Sequence, residues 1–132
     1  MAVRKQYHFQ PGRHRLDAWD VDRLVALTRD IPVKQVAVEE IWQLDSVYWS
    51  ETMTPRNLAA HVRLTNEVDP RYPIILGADG RVMDGMHRVL RALLEGRALI
   101  DAVQFDVDPE PDHREVTAEE LPYPLDDPDP GS

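Results

Sequence analysis

The stretch from Pro73 to Arg88, Pro-Ile-Ile-Leu-Gly-Ala-Asp-Gly-Arg-Val-Met-Asp-Gly-Met-His-Arg, constrains the fold more than any other part of the chain. Pro73 to Leu76 is a short, β-branched, apolar run, and Ala78-Asp79-Gly80 supplies turn chemistry, with Gly80 able to take the positive φ of a hairpin corner. Arg81 to Met83 would return as a second short strand. From Met86 the apolar period changes to Met86, Val89, Leu90, Leu93 and Leu94, the spacing of a helix with one buried face. Gly96 stands where a C-terminal cap belongs. A hairpin running straight into an amphipathic helix is therefore expected.

The helix entrance is polar. Asp84 precedes it, where a carboxylate can accept bonds from the first free amides, and Gly85 leaves room for a ligand to approach the backbone. His87 and Arg88 add side-chain donors to the same corner. Free amides, the positive end of a helix dipole, an imidazole and a guanidinium together suit a phosphate. Each residue also has a plainer reading: Asp84 as an ordinary cap, Gly85 as incidental, Arg88 on the wet face of the helix, His87 as a surface or packed side chain. The crowding of these residues at one entrance favours an anion site.

Asp84-Gly85-Met86-His87-Arg88, entered from Pro-Ile-Ile-Leu-x-x-Asp-Gly-x-Val, resembles the nucleotide-binding signature of the ParB-like and sulfiredoxin-like superfamily. The resemblance spans residues 33 to 105 and implies an α+β fold, a small mixed sheet flanked by helices. It also implies that His87, Arg88 and the backbone at Gly85 and Met86 contact phosphate. In sulfiredoxins the corresponding stretch carries a reactive cysteine; here that position is Met86 and the chain has no cysteine, so sulfinic-acid repair is excluded. In free-serine kinases of the same fold a related Asp-Gly-His-Thr-Arg holds nucleotide phosphates, and in ParB proper the analogous entrance helps bind CTP. The resemblance thus implies ATP, ADP or CTP with Mg2+ as cofactor, with Asp84 orienting Mg2+ or an acceptor hydroxyl as the catalytic residue. An Arg88→Ala exchange is then expected to weaken nucleotide affinity by about 1.5 to 3 kcal/mol and to leave stability nearly unchanged.

Charge is distributed unevenly. Residues 1 to 105 balance 14 acidic side chains against 14 basic ones, whereas residues 106 to 132 hold 10 acidic side chains and Arg114 alone, so the net charge of -9 resides at the C-terminal end. A neutral body argues against general nucleic-acid affinity, which needs an excess of Lys and Arg. The organisation expected is a domain over residues 1–105 with an N-terminal helical extension, followed by an acidic, proline-rich tail over 106–132, disordered from about 124. Arg4, Lys5, Arg13 and Arg15 make the start basic, and attraction between this start and the acidic end, within one chain or between two, is a further expectation. With no long apolar run, no signal-peptide pattern and no cysteine, a cytoplasmic protein without membrane attachment is the simplest reading.

Elsewhere, Asp17 or Asp20 can start a helix through Val21, Leu24, Val25 and Thr28 that Pro32 ends. Val33 to Val38 reads as a strand. Thr54-Pro55 opens another helix whose apolar face is Leu58, Ala59, Val62 and Thr65. Residues 98 to 107 read as a strand with Val103, Phe105 and Val107 on one side, and Thr117 to Glu120 as a last helical turn. Tyr48 and Trp49 could stack on a base or close as a lid, the alternative being packing against the helices. Glu39 and Glu40 follow a strand, where the resemblance to the kinases implies a general base for phosphoryl transfer, Glu39 being the candidate and simple exposure the alternative. His8, His14, His61, His87 and His113 show no short metal-ligand spacing. The functions left open are an NTP hydrolase or small-molecule phosphotransferase, a nucleotide-binding regulatory module, and an interaction domain on the same scaffold, with a homodimer compatible with any of them.

Overall fold

The computed structural model describes residues 6–49 and 52–122. It is an α+β architecture with three helices and two small sheets. Contacts group the described chain into two compact units: the N-terminal stretch up to Arg29 together with the stretch from Pro109 onward, and Asp30–Asp108.

In the first unit, β1 (Tyr7–Pro11) and β2 (Leu16–Asp20) form an antiparallel hairpin, and β7 (His113–Val116) pairs with the other edge of β2. The helix expected to begin at Asp17 or Asp20 is α1 (Val21–Leu27), capped by Asp20 through its bond from the Asp22 amide at 2.9 Å. The strands on either side of Gly12 were not anticipated, because that run lacks a β-branched core and its turn is spelled by Arg13-His14-Arg15. The C-terminal stretch differs from a tail beginning at 106: it supplies β7 and a 3-10 turn, Ala118–Glu120, closed by a Thr117 capping box. The basic start meets the acidic end here, through Arg15 and Glu120 at 3.4 Å and through backbone amides on Glu115. Residues 124–132, expected to be disordered, and Arg4 and Lys5 lie outside the described residues.

The second unit holds a four-stranded mixed sheet in the order β3-β6-β4-β5, with β3 at Lys34–Ala37, β4 at Ile74–Leu76, β5 at Val82–Asp84 and β6 at Leu99–Gln104. β4 and β6 run parallel and the other pairings are antiparallel. The β4–β5 hairpin turns where the sequence requires, Gly80 taking φ +87°. β6 ends at Gln104, so Phe105 and Val107 fall beyond it; the Phe105 amide still reaches Leu76 O at 3.0 Å, and Val107 is exposed. The core gathers Ile41, Ile74, Leu76, Val82, Met86, Val89 and Ala102.

Two helices complete this unit. α3 (Met86–Leu94) packs on β4 and β6, and α2 (Pro55–Glu67) packs on α3. Thr54 caps α2 by accepting from the Asn57 amide at 3.1 Å, with Pro55 in the first turn. α3 ends at Gly96, φ +71°, with Gly96 N donating to Leu93 O and Arg97 N to Ala92 O, the Schellman pattern. The buried faces are narrower than the periodicity predicts. On α3, Met86, Val89 and Ala92 are buried while Leu93 and Leu94 are exposed; on α2, Thr65 is buried while Leu58 and Val62 are half exposed. Leu58, Val62, Leu90 and Leu94 instead line an open apolar groove of about 110 Å³ between the two helices.

Candidate functional site

The Asp84–Arg88 corner is built by the step from β5 into α3. Gly85 is the N-cap of α3 and takes φ +103°, a conformation that L side chains rarely adopt. It brings no capping side chain, whereas α1 and α2 are capped by Asp20 and Thr54. The free amides at the mouth of α3 therefore keep the positive end of the helix dipole without a carboxylate cap.

Asp84 does not cap this helix, contrary to the sequence expectation. As the last residue of β5 it sits one position too early, and its Oδ2 instead accepts from Arg88 Nη2 at 3.1 Å, one helical turn on. Arg88 does not lie on the wet face either. Its side chain is 17% exposed, Nη2 also reaches Pro73 O at 3.3 Å, and among the described residues no partner meets its buried Nε. The room above Gly85, read from sequence as space for a ligand, is taken by the protein itself: a Cβ there would stand 2.8 Å from Arg88 Nη2 and 2.9 Å from Ile74 Cγ2. Met86 is buried in the core, leaving only its backbone for a ligand.

His87 points into an aromatic cluster. Its Nε2 lies 2.9 Å from His61 Nδ1, a contact with the middle of α2 that no sequence spacing announces. Trp49 covers both rings, its centroid 4.2 Å from His61 and 5.2 Å from His87, and Tyr48 meets Trp49 edge-on at 5.4 Å. Tyr48 and Trp49 thus come to the corner, packed against the core cluster. Burial first, and the Asp84 charge second, push the Tyr48 phenol above its ordinary 10, so it stays neutral. Burial, then His61, then Arg88 hold His87 below its ordinary 6.5.

Glu39 is exposed in the 3-10 turn Val38–Glu40, and among the described residues no hydrogen bond links it to Asp84 or His87. Among the described residues no group of three His, Cys, Asp or Glu side chains is placed to hold a metal ion. Asp84, whose Oδ2 already receives Arg88, does not by itself make a Mg2+ site. Sequence reasoning missed Gln43, a buried side chain whose Oε1 accepts the Val82 amide at 2.5 Å and so holds β5 from below the corner. It also missed Arg91, which donates to Val68 O at 2.8 Å and ties α3 to the end of α2.

Comparison with known proteins finds no family model, no curated protein and no solved structure that matches this chain. No described helix is long and apolar enough to cross a membrane.

Proposed function

We propose that this chain is a phosphate- or nucleotide-binding domain of the ParB-like and sulfiredoxin-like kind, acting by binding rather than by turnover. The observation that carries the reading is the mouth of α3, where a glycine N-cap leaves the first amides without a side-chain acceptor beside His87 and Arg88. An anion there meets the helix dipole and a guanidinium one turn away. Binding requires Arg88 to exchange Asp84 for the ligand, since the guanidinium now rests over Gly85. The preference for binding over hydrolysis or phosphoryl transfer rests on the chemistry present: Asp84 is paired with a cation, and among the described residues no hydrogen bond joins Glu39 to Asp84 or His87. A cytoplasmic location accords with this reading.

A thermal-shift series with ATP, ADP, CTP and inorganic phosphate, each with and without Mg2+, tests binding. The expected result is a rise in melting temperature that Arg88→Lys diminishes. No shift with any of the four counts against the reading. Phosphorus NMR of an NTP incubated with the protein and Mg2+ addresses turnover, and new phosphate resonances would restore the hydrolase or phosphotransferase.

The α2–α3 groove favours a second reading, a protein-interaction module. Met53, Leu58, Val62 and Leu94 line the groove and are each about half exposed or more, an arrangement suited to an apolar partner. Retention of full ligand response in a Leu58→Glu, Val62→Glu double variant would separate that surface from the phosphate corner.

A further inference from the structure

We infer that a second pocket, at the carboxyl ends of the parallel strands β4 and β6, binds a small zwitterion with an apolar body, the ligand's carboxylate on Lys34 and its ammonium on Asp106. This pocket is separate from the mouth of α3 and binds whether or not that corner takes a phosphate.

Its place in the sheet comes from the strand directions. β4 and β6 pair in parallel, Ile74 beside Ala102 and Leu76 beside Gln104, so both end at the same edge of the sheet. Gln104, Phe105 and Asp106 line the pocket at and just past that edge, and Val33 and Lys34 reach it from the start of β3, which runs the other way. The space is open and holds about 460 Å³. A crevice outside the carboxyl ends of parallel strands is where open sheets take ligands, and small-molecule sites fall between about 300 and 1,000 Å³. The mouth of α3 lies at the other end of β4, where Arg88 meets Pro73 O.

Lys34 is held ready in this pocket. Its register partner is Ala102, which makes Gln104 its diagonal neighbour across the strands, within reach of a long side chain. Lys34 Nζ donates to Gln104 Oε1 at 2.5 Å, and Gln104 Nε2 donates to Gly77 O at 2.9 Å. The second bond fixes the amide with its oxygen toward the ammonium, and the first then restrains a side chain that would otherwise range freely. An ammonium has three N–H donors, and Gln104 takes one. Among the described residues Lys34 makes no ion pair, so its charge is unmatched.

Asp106 supplies the opposite sign. It is exposed, lines the same pocket, and makes no ion pair among the described residues, whereas the neighbouring Asp108 carboxylate already accepts the Ala78 amide at 2.7 Å. Two opposite charges therefore face one space without neutralising each other. An anion alone is met by Lys34 and opposed by Asp106, and a cation alone meets the reverse; a zwitterion matches both. Val33, 55% exposed, and the buried Phe105 give the surface on which an apolar body rests.

The test is NMR of the nitrogen-labelled full chain at neutral pH, titrated with L-leucine, with isocaproate, which lacks the ammonium, and with isoamylamine, which lacks the carboxylate. Leucine should move the amides of Lys34, Gln104 and Asp106 along one saturating curve while Gly85 and Met86 stay still. Each single-charge analogue should bind about tenfold more weakly or worse, the loss that goes with a hydrogen bond to a charged group. Lys34→Gln should reduce leucine to the level of isoamylamine, and Asp106→Asn to that of isocaproate. No saturating response to leucine, a response centred on Gly85 and Met86, or an analogue that binds as tightly as leucine overturns the assignment. The wild-type titrations decide this alone, whatever either variant does to folding.

Discussion

Arg88 stands over its own helix entrance, with Nη2 3.1 Å from Asp84 Oδ2 and 2.8 Å from the point where a β-carbon on residue 85 would sit. The ion pair and the glycine are one device. A left-handed backbone at Gly85 turns the chain from β5 into α3, and the missing side chain lets the guanidinium fold back to the strand-end carboxylate. The residues that read as an anion cradle are thus also partners of one another.

Stability is the first quantity this pairing changes. Both side chains of the pair are about four-fifths buried, so Arg88→Ala leaves Asp84 with a desolvated, uncompensated charge. The sequence expectation of nearly unchanged stability is replaced by a loss of about 1.5 to 3 kcal/mol, the range for hydrogen bonds to charged groups. Urea denaturation of wild type, Arg88→Ala, Asp84→Asn and the double variant measures it. The double variant should be less destabilised than the two single losses added, and strict additivity would show that the pair contributes nothing as a pair.

Glycine substitutions separate backbone strain from steric overlap. Gly80 and Gly85 both have positive φ, but a β-carbon on Gly80 meets nothing within 4 Å, whereas one on Gly85 meets Arg88 and Ile74. Gly80→Ala should cost about 1 to 2 kcal/mol, the penalty of left-handed backbone for an L residue. Gly85→Ala should cost more by chemical denaturation. If the two lose equal stability, the close approach of Arg88 has no energetic weight.

The elements of both units were largely legible because each is spelled locally. Pro73–Leu76 with Gly80, Thr54-Pro55, Asp20 and Gly96 mark strand, turn and caps by residue type, and all appear where expected. The site was half legible. Asp84 to Arg88 do converge, but their mutual pairing depends on where β5 stops, and Gly85 rather than Asp84 took the N-cap because its left-handed φ makes the turn. His61 meets His87 only through packing of α2 on α3, and Trp49 reaches both rings from the segment ahead of α2, neither of which periodicity encodes. Periodicity also overstates burial at Leu58, Val62 and Leu94, since an apolar stripe records which face could be covered and not how much of it is.

Gln43 offers a test of support beneath the corner. Its buried Oε1 accepts the Val82 amide, and Gln43→Leu would leave that backbone donor without an acceptor in an apolar setting. The expected loss is about 1 to 3 kcal/mol, the cost of an unsatisfied buried group. Amide exchange at Val82 should quicken selectively. Unchanged exchange there would mean that another acceptor, or water, replaces the side chain.

In the other unit, Glu115 should set part of the acid response. Its carboxylate accepts the successive amides of Arg13, His14 and Arg15 at 2.5, 2.7 and 2.8 Å, while its backbone sits at φ +53°, an unusual value for a residue other than glycine. The bonds from His14 and Arg15 contribute most to holding the Glu115 pKa below its ordinary 4.5. A carboxylate whose folded pKa is depressed stabilises the fold fully above its unfolded value, and that contribution fades as pH falls from about 4.5 through the lower folded value. Glu120, lowered chiefly by its bond from the Thr117 amide, acts in the same window and with the same sign. Thermal midpoints of wild type and Glu115→Gln should therefore differ most near neutrality and converge as pH falls through the lowered folded value, with the Glu120 share retained in both. A gap that stays constant across the acid range would show that the β1–β2 turn is held by the shape of residue 115 and not by its charge.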